Sequence, residues 1–200
     1  MDNLDMKILS RLLNNCRESD RQIGKELGIS GGAVRTRIRK MEEKKIIERF
    51  FVKVEPPVLG YGVLYFVVSG ENIDEVFKQV SLVGEPYLVV PCVGGITVCG
   101  IAVKENLEQR IELASRLMKD VRVLSIFEAE SQGSISNLTK TDLEILERLI
   151  EDPRQKIEKI AKSTNMSTKT ITRCIEKLHE NEGIQFTLIY NPEKIEDFIP

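Results

Sequence analysis

The chain repeats itself. Displaced so that Asp5 falls on Asp142, its start aligns with its end without a gap: Asp5-Met-Lys-Ile-Leu-Ser-Arg-Leu12 on Asp142-Leu-Glu-Ile-Leu-Glu-Arg-Leu149, Ile23 on Ile160, Ser30 on Ser167, Ile38 on Ile175 and Ile47 on Ile184. Val34 falls on Ile171 and Met41 on Leu178. The matches are mostly apolar and lie at helical spacing, so the two copies carry the same core.

Each copy reads as three helices and a short hairpin. Asp2 caps the first helix with Asp5 three residues on, and Thr139 with Asp142 repeats that pattern. Ile8, Leu9, Leu12 and Leu13 form one stripe. A short helix spans about Asp20 to Leu27, and Gly28-Ile29 turns the chain, Gly supplying a positive φ. Ser30 caps a third helix to about Lys44, with Val34, Ile38 and Met41 inward. Ile46-Ile47 and a strand from Arg49 to Val54 follow as a wing. In the second copy these roles fall to Gln155–Ser163, Asn165-Met166, Ser167, Ile171/Ile175/Leu178 and Phe186–Tyr190.

A short helix, a tight turn and a capped third helix make a helix-turn-helix. With the apolar side of the third helix inward, Gly31, Gly32, Arg35, Thr36 and Arg39 face out near its N-terminal half. Small residues at the tip suit entry into a major groove about 12 Å wide. Arg35 and Arg39, one turn apart, can reach a guanine edge or a phosphate; Arg37 and Lys40 flank them as phosphate contacts. Ser30 and the helix N-terminus offer backbone N–H groups to a phosphate. The second copy presents Thr168, Lys169, Thr172, Arg173 and Lys177. That helix is either a second DNA reader or a shape kept for packing or protein contact.

Charge divides the chain in three. Residues 1–55 carry net +4, residues 56–137 net −4 and residues 138–200 net −2. The first module is thus the one suited to a polyanion. These boundaries define an N-terminal winged helix-turn-helix, a central domain with linker, and a second, C-terminal winged helix-turn-helix.

The middle segment has strand–helix–strand–strand–helix–strand order. Tyr61–Ser69, Tyr87–Val93, Ile96–Val103 and Val121–Glu130 read as strands, and Ile73–Leu82 and Leu107–Met118 as helices. Gly94-Gly95 marks a two-residue hairpin. The pattern is a ferredoxin-like split βαβ, one antiparallel sheet with helices on one face, and the whole chain is α+β. Val89, Val93, Val98, Ile101 and Val103 read as an open face too apolar for water, so a second copy should cover it.

These features resemble the Lrp/AsnC (feast/famine) regulators over residues 1–130. The likeness rests on Asp5-x-x-Ile8-Leu9, Asn15-x-Arg17, Ile29-Ser30-x-x-x-Val34-x-x-Arg37-Ile38-x-x-Met41-Glu42 and Ile46-Ile47, followed by βαββαβ. The resemblance implies a bacterial or archaeal transcription regulator, and the scattered cysteines and acidic N-terminus read as those of a cytoplasmic protein. It implies a homodimer joined through the βαββαβ domains that sets two helix-turn-helix heads on double-stranded DNA. The implied groove residues are Ser30, Gly31, Gly32, Arg35, Thr36, Arg37 and Arg39. Family members often sense amino acids or other small metabolites at the interface of that domain. Two-fold symmetry would set half-sites about 34–36 Å apart or a multiple of that.

Two departures stand out. The family's effector loop has a Gly-x-x-Asp type pattern, whereas Val93-Gly94-Gly95-Ile96-Thr97-Val98-Cys99 has no Asp. The family also ends after the fourth strand, whereas here a polar linker, Ser131–Asn137, leads to the second helix-turn-helix. Pro192 lies near the counterpart of Pro56, and the repeat stops where a second βαββαβ domain would begin. A longer natural chain with a further domain is the expectation that follows.

Other chemistry has little to work with. There is one His, His179, no Trp, and four scattered cysteines without a CxxC pair. Cys92 and Cys99 fall on one sheet face by parity, with no third ligand. No nucleotide loop, zinc-protease or nucleophile-elbow motif is present. No apolar run approaches the roughly 20 residues that span a bilayer. The expectation is therefore no enzyme, no cofactor, no metal and no membrane. The rival is an Lrp-like tetrapyrrole decarboxylase, whose chemistry would want His or Arg in the central cleft; residues 56–137 hold no His.

Overall fold

Paired caps open both copies of the repeat. The structure, a computed structural model, describes residues 1–69, 72–104, 106–128 and 138–195. In chain order its helices and strands are α1 (Asn3–Asn14), α2 (Asp20–Leu27), α3 (Gly31–Glu43), β1 (Ile47–Val54), β2 (Gly62–Ser69), α4 (Ile73–Ser81), β3 (Glu85–Cys92), β4 (Ile96–Val103), α5 (Leu107–Leu117), β5 (Arg122–Glu128), α6 (Lys140–Glu151), α7 (Ile157–Thr164), α8 (Thr168–His179) and β6 (Ile184–Tyr190). Asp2 with Asp5, and Thr139 with Asp142, each form a reciprocal capping box. The turn into each third helix uses one left-handed residue, Gly28 at φ 70° and Asn165 at φ 54°. Gly and Asn are the residues that adopt this conformation at least cost, so the turn repeats although its residue does not.

The wing differs from the expected hairpin. Each copy contributes a single strand, and β1 pairs antiparallel with β6 of the other copy. The reason is local. Pro56-Pro57 follows β1 and forms a short 3-10 turn, and proline cannot donate to a returning ladder. A lone strand would leave its backbone groups unpaired, and the second copy supplies an equivalent strand.

The register carries symmetry. Phe50 pairs with Leu188 and Phe51 with Thr187. In the repeat, Phe50 corresponds to Thr187 and Phe51 to Leu188. Exchanging the copies therefore exchanges these two pairs, and a local two-fold axis passes between them. Further ties join the copies. The Cys16 N–H donates to the Phe186 carbonyl at 2.9 Å, and the Thr187 hydroxyl to the Leu13 carbonyl at 2.7 Å. Arg17 donates to the Pro153 and Gln155 carbonyls, while its repeat counterpart, Arg154, donates to Asp20 at 2.8 Å. Leu188 and Ile195 enter the core formed by Ile8, Leu12, Ile23, Val34 and Ile38. The first and third segments, read from sequence as separate modules, thus build one compact unit, and residues 55–136 are assigned to another.

The central unit has strand order β3-β4-β2-β5, all neighbours antiparallel. Its core joins Leu64, Phe66, Val68 and Ile101 of the sheet to Val76 and Val80 of α4 and Ala114 of α5. Gly94 and Gly95 both take positive φ at the β3–β4 turn. The face assignment from sequence needs correction. Ile101 and Val103 are buried on the helix side and Val89 packs there too. Val98 shares the opposite face with its partner Val90, with Tyr65 and with Phe127, and Val93 is fully exposed beside the turn. Successive residues of a strand point to opposite faces, so Val98 and Ile101 cannot share one. Cys92, paired with Ile96, likewise lies on the face opposite buried Cys99. The linker Ser131–Asn137 and the end of the expected last strand lie outside the described residues.

Because the two helical copies share a ribbon and a core, damage to one should loosen the other. Leu12 is fully buried. Leu12→Ala should cost about 2–5 kcal/mol in urea unfolding, and hydrogen exchange should speed up at α8 amides as well as at α3. Faster exchange confined to residues 1–54 would contradict the shared unit.

Candidate nucleic-acid interface

The third helix of the first copy turns three apolar residues inward, Val34, Ile38 and Met41, at 0%, 6% and 2% exposure. Its start is capped by the Ser30 hydroxyl, which accepts from the Ala33 N–H at 3.1 Å. The first N–H groups of a helix have no partner within it and carry partial positive charge, so this tip suits a phosphate oxygen. Gly32 is exposed and Gly31 half-buried. A Cβ on Gly31 would lie 3.1 Å from the Arg21 backbone, so this glycine also lets α2 and α3 approach.

Arg35 and Arg39 lie on the outward side, with side chains 80% and 71% exposed. Each is steered by one carboxylate through its Nε: Arg35 by Asp20 at 3.0 Å and Arg39 by Glu43 at 3.3 Å. No other carboxylate among the described residues pairs with either guanidinium. Nε engagement leaves the terminal nitrogens to present a forked pair of donors. Thr36 is exposed and its hydroxyl donates to the Gly32 carbonyl at 3.0 Å. Lys40 is exposed on the flank.

Arg37 is engaged inside the head. It is only 29% exposed and donates to Asp2 at 2.6 Å and Asp5 at 2.7 Å. Hydrogen bonds to Asp5 and Asp2 push its pKa above the usual value. It ties α3 to the N-terminus of α1, because position 37 lies between the outward stripe and the core, within reach of the capping box.

The second copy solves the same problem differently. Cys174 replaces Arg37 in the repeat, and Lys177, the counterpart of Lys40, pairs with Asp142 at 2.5 Å. Lys177 is therefore also engaged inside its own head. Burial alone would raise the Asp142 pKa, but the Lys177 ammonium and the Thr139 N–H and hydroxyl more than offset it and hold it at about 2. Burial, with Asp142 beside it, pushes the Cys174 thiol up to about 12, so it is no reactive thiolate. Thr168, Lys169 and Arg173 are exposed, and Thr172 is half-buried with its hydroxyl on the Thr168 carbonyl.

Two positioning residues escaped the sequence reading. Asp20 Oδ2 holds Arg35, and its Oδ1 is held by Arg154. An arginine of the second copy thus fixes the carboxylate that aims an arginine of the first. The available signal was the repeat itself, since Arg154 is the counterpart of Arg17.

A capped, glycine-tipped helix with two outward arginines, seated in a helix-turn-helix, defines a DNA-binding protein of that class. Comparison with known proteins agrees. An AsnC-type helix-turn-helix domain matches residues 1–42, and a winged helix-turn-helix DNA-binding domain matches residues 138–184. The HTH-type transcriptional regulator Ptr1 of Methanocaldococcus jannaschii is 32% identical over 111 residues, covering 54% of this chain and 75% of that protein. An AsnC family transcriptional regulator from Agrobacterium tumefaciens has a similar fold, with TM-score 0.50 and 21% identity over 72% of this chain and 99% of its own. The siroheme decarboxylase NirDL shares the fold at TM-score 0.58 and 17% identity, over 94% of this chain and 65% of its own. The chain belongs to the Lrp/AsnC family of transcriptional regulators. No helix of the described residues is long and apolar enough to cross a membrane.

Asp142 gives this unit a specific acid sensitivity. Its folded pKa, about 2, lies below that of an ordinary aspartate, so its charged form is favoured by folding. That contribution is present above about pH 4 and is lost as the pH falls towards 2. Urea unfolding at pH 5 and pH 2.5 should show a smaller loss of stability for Asp142→Asn than for the parent chain. An equal loss would contradict the ion pair.

Proposed function

We propose that this regulator reads its operator through α3, with Arg35, Thr36 and Arg39 at base edges, and Ser30, Gly31, Gly32 and Lys40 positioning the helix on phosphates. The observation that carries this reading is the exposure of Arg35 and Arg39, each steered through Nε and open at the guanidinium tip. Arg37 contributes indirectly, by holding α3 against α1. The central sheet supports homodimer formation: Tyr87, Val90, Leu124 and Phe127 are 39–46% exposed, an apolar surface that a second copy of the sheet would cover. A small metabolite at that interface would adjust the DNA affinity. The Gly94-Gly95 turn lacks the family's Asp, which argues against a free amino acid as that metabolite. A cytoplasmic regulator without catalytic activity accords with this reading.

Base and phosphate contacts separate experimentally. Arg35→Ala should relax preference at one base pair by about 1–3 kcal/mol, measured by fluorescence anisotropy on single-base operator variants. Lys40→Ala should weaken all sequences alike and reduce the slope of log affinity against log salt by about one. Unchanged selectivity in the first variant, or a sequence-confined effect in the second, would overturn the assigned role.

A further inference from the structure

The ribbon makes the two heads a pair within one chain. An antiparallel two-stranded ribbon has its local two-fold axis perpendicular to the sheet, and rotation about that axis keeps each side of the sheet on its own side. The β1–β6 register obeys such an axis, between the Phe50–Leu188 and Phe51–Thr187 pairs. The first head meets this ribbon through Cys16 and Leu13, with Arg17 over the Phe186 ring, and Arg154 of the second lies over the Phe50 ring. A half-turn about that axis carries the strand of the first head onto that of the second, and with it α3 onto α8. That is the arrangement of the two recognition helices of a dimeric helix-turn-helix protein on an inverted repeat.

We infer that a single chain is a complete two-headed DNA reader, whose site is an inverted pair of unlike elements. This rests on α3 reading bases as proposed above. The heads are alike in backbone and unlike at the reading positions. Where α3 has Gly32, Arg35, Thr36 and Arg39, α8 has Lys169, Thr172, Arg173 and Glu176. Lys169 and Arg173 are exposed, and α8 starts at the same kind of cap, the Ser167 hydroxyl accepting from the Thr170 N–H at 3.1 Å. The guanidinium moves one position along the helix and the second arginine becomes a glutamate. A bidentate donor set favours guanine, whereas a carboxylate accepts from the cytosine amino group. The two elements should therefore differ in sequence while their spacing stays constant. A dimer of chains would carry two such readers, and each would contact DNA through both of its heads.

Selection of bound duplexes from a random pool tests this, using the full chain. The expected result is two dissimilar elements at one spacing, with Arg35→Ala degrading preference in one element and a Lys169→Ala/Arg173→Ala double variant degrading it in the other. Inserting about five base pairs between the elements, half a helical turn, should weaken binding at least about tenfold. Two identical elements, or an unaltered selected site in the double variant, would overturn the inference. These substitutions lie on exposed positions, and far-ultraviolet circular dichroism would verify the fold. If Arg35→Ala alone has no effect while the double variant does, the reading of α3 fails and the activity of the second head stands apart from it.

Discussion

The pairing of β1 with β6 is the constraint on which the DNA-binding unit depends. Each three-helix head buries its own stripe, but the strand that follows it has no partner in its own half. Proline after β1 prevents a local hairpin. Pairing the two strands satisfies both ladders at once and places Leu188 and Ile195 in the first head's core. One interaction thus gives the unit its connectivity, its symmetry and part of its apolar burial. The order of the chain, with the central sheet inserted between the two strands, means that this contact closes over more than a hundred residues. Closing a loop of that length carries an entropic cost that grows only slowly with its size, so shared burial can offset it.

What could be read from sequence was whatever is local or periodic. The caps at Asp2, Ser30, Thr139 and Ser167 were legible because a capping side chain bonds a backbone group three residues away. The inward faces of α3 and α8 follow from helical spacing, and the βαββαβ order from alternation of strand and helix patterns. Long-range consequences were not legible. The partner of β1 lies 138 positions from Phe50 at Leu188, and nothing near Phe50 announces it. Arg37 looked like an outward cation until Asp2 and Asp5, far away in sequence, occupied it. The face assigned to the central sheet mixed Val98 with Ile101. Strand parity puts them on opposite faces although they lie close in sequence. The chain of Arg154, Asp20 and Arg35 needs three segments brought together, and only the fold does that.

The helical copies have diverged on a common backbone. Positions facing the core stay apolar in both: Val34 and Ile171, Ile38 and Ile175, Met41 and Leu178. Positions facing out change charge and shape. The internal staple changes too, Arg37 with Asp2 and Asp5 in one head and Lys177 with Asp142 in the other. Burial keeps the scaffold within narrow limits, while exposure leaves the outward side chains free to vary. The decarboxylase likeness fits within this picture at the level of fold, since scaffolds host unrelated functions and the site decides.

Everything in the DNA-binding unit requires that β1 and β6 of the same chain pair with each other. Lys53 and Gln185 face each other across the ribbon, and both are exposed. Directly opposed residues of an antiparallel pair have Cα atoms about 4.5–5.5 Å apart, which a disulfide can bridge. Lys53→Cys with Gln185→Cys, in a chain whose exposed Cys92 is changed to Ser, should oxidise to a crosslink that leaves the protein at monomer mass on a non-reducing gel. A crosslinked dimer, or failure of the two thiols to couple, would contradict the account.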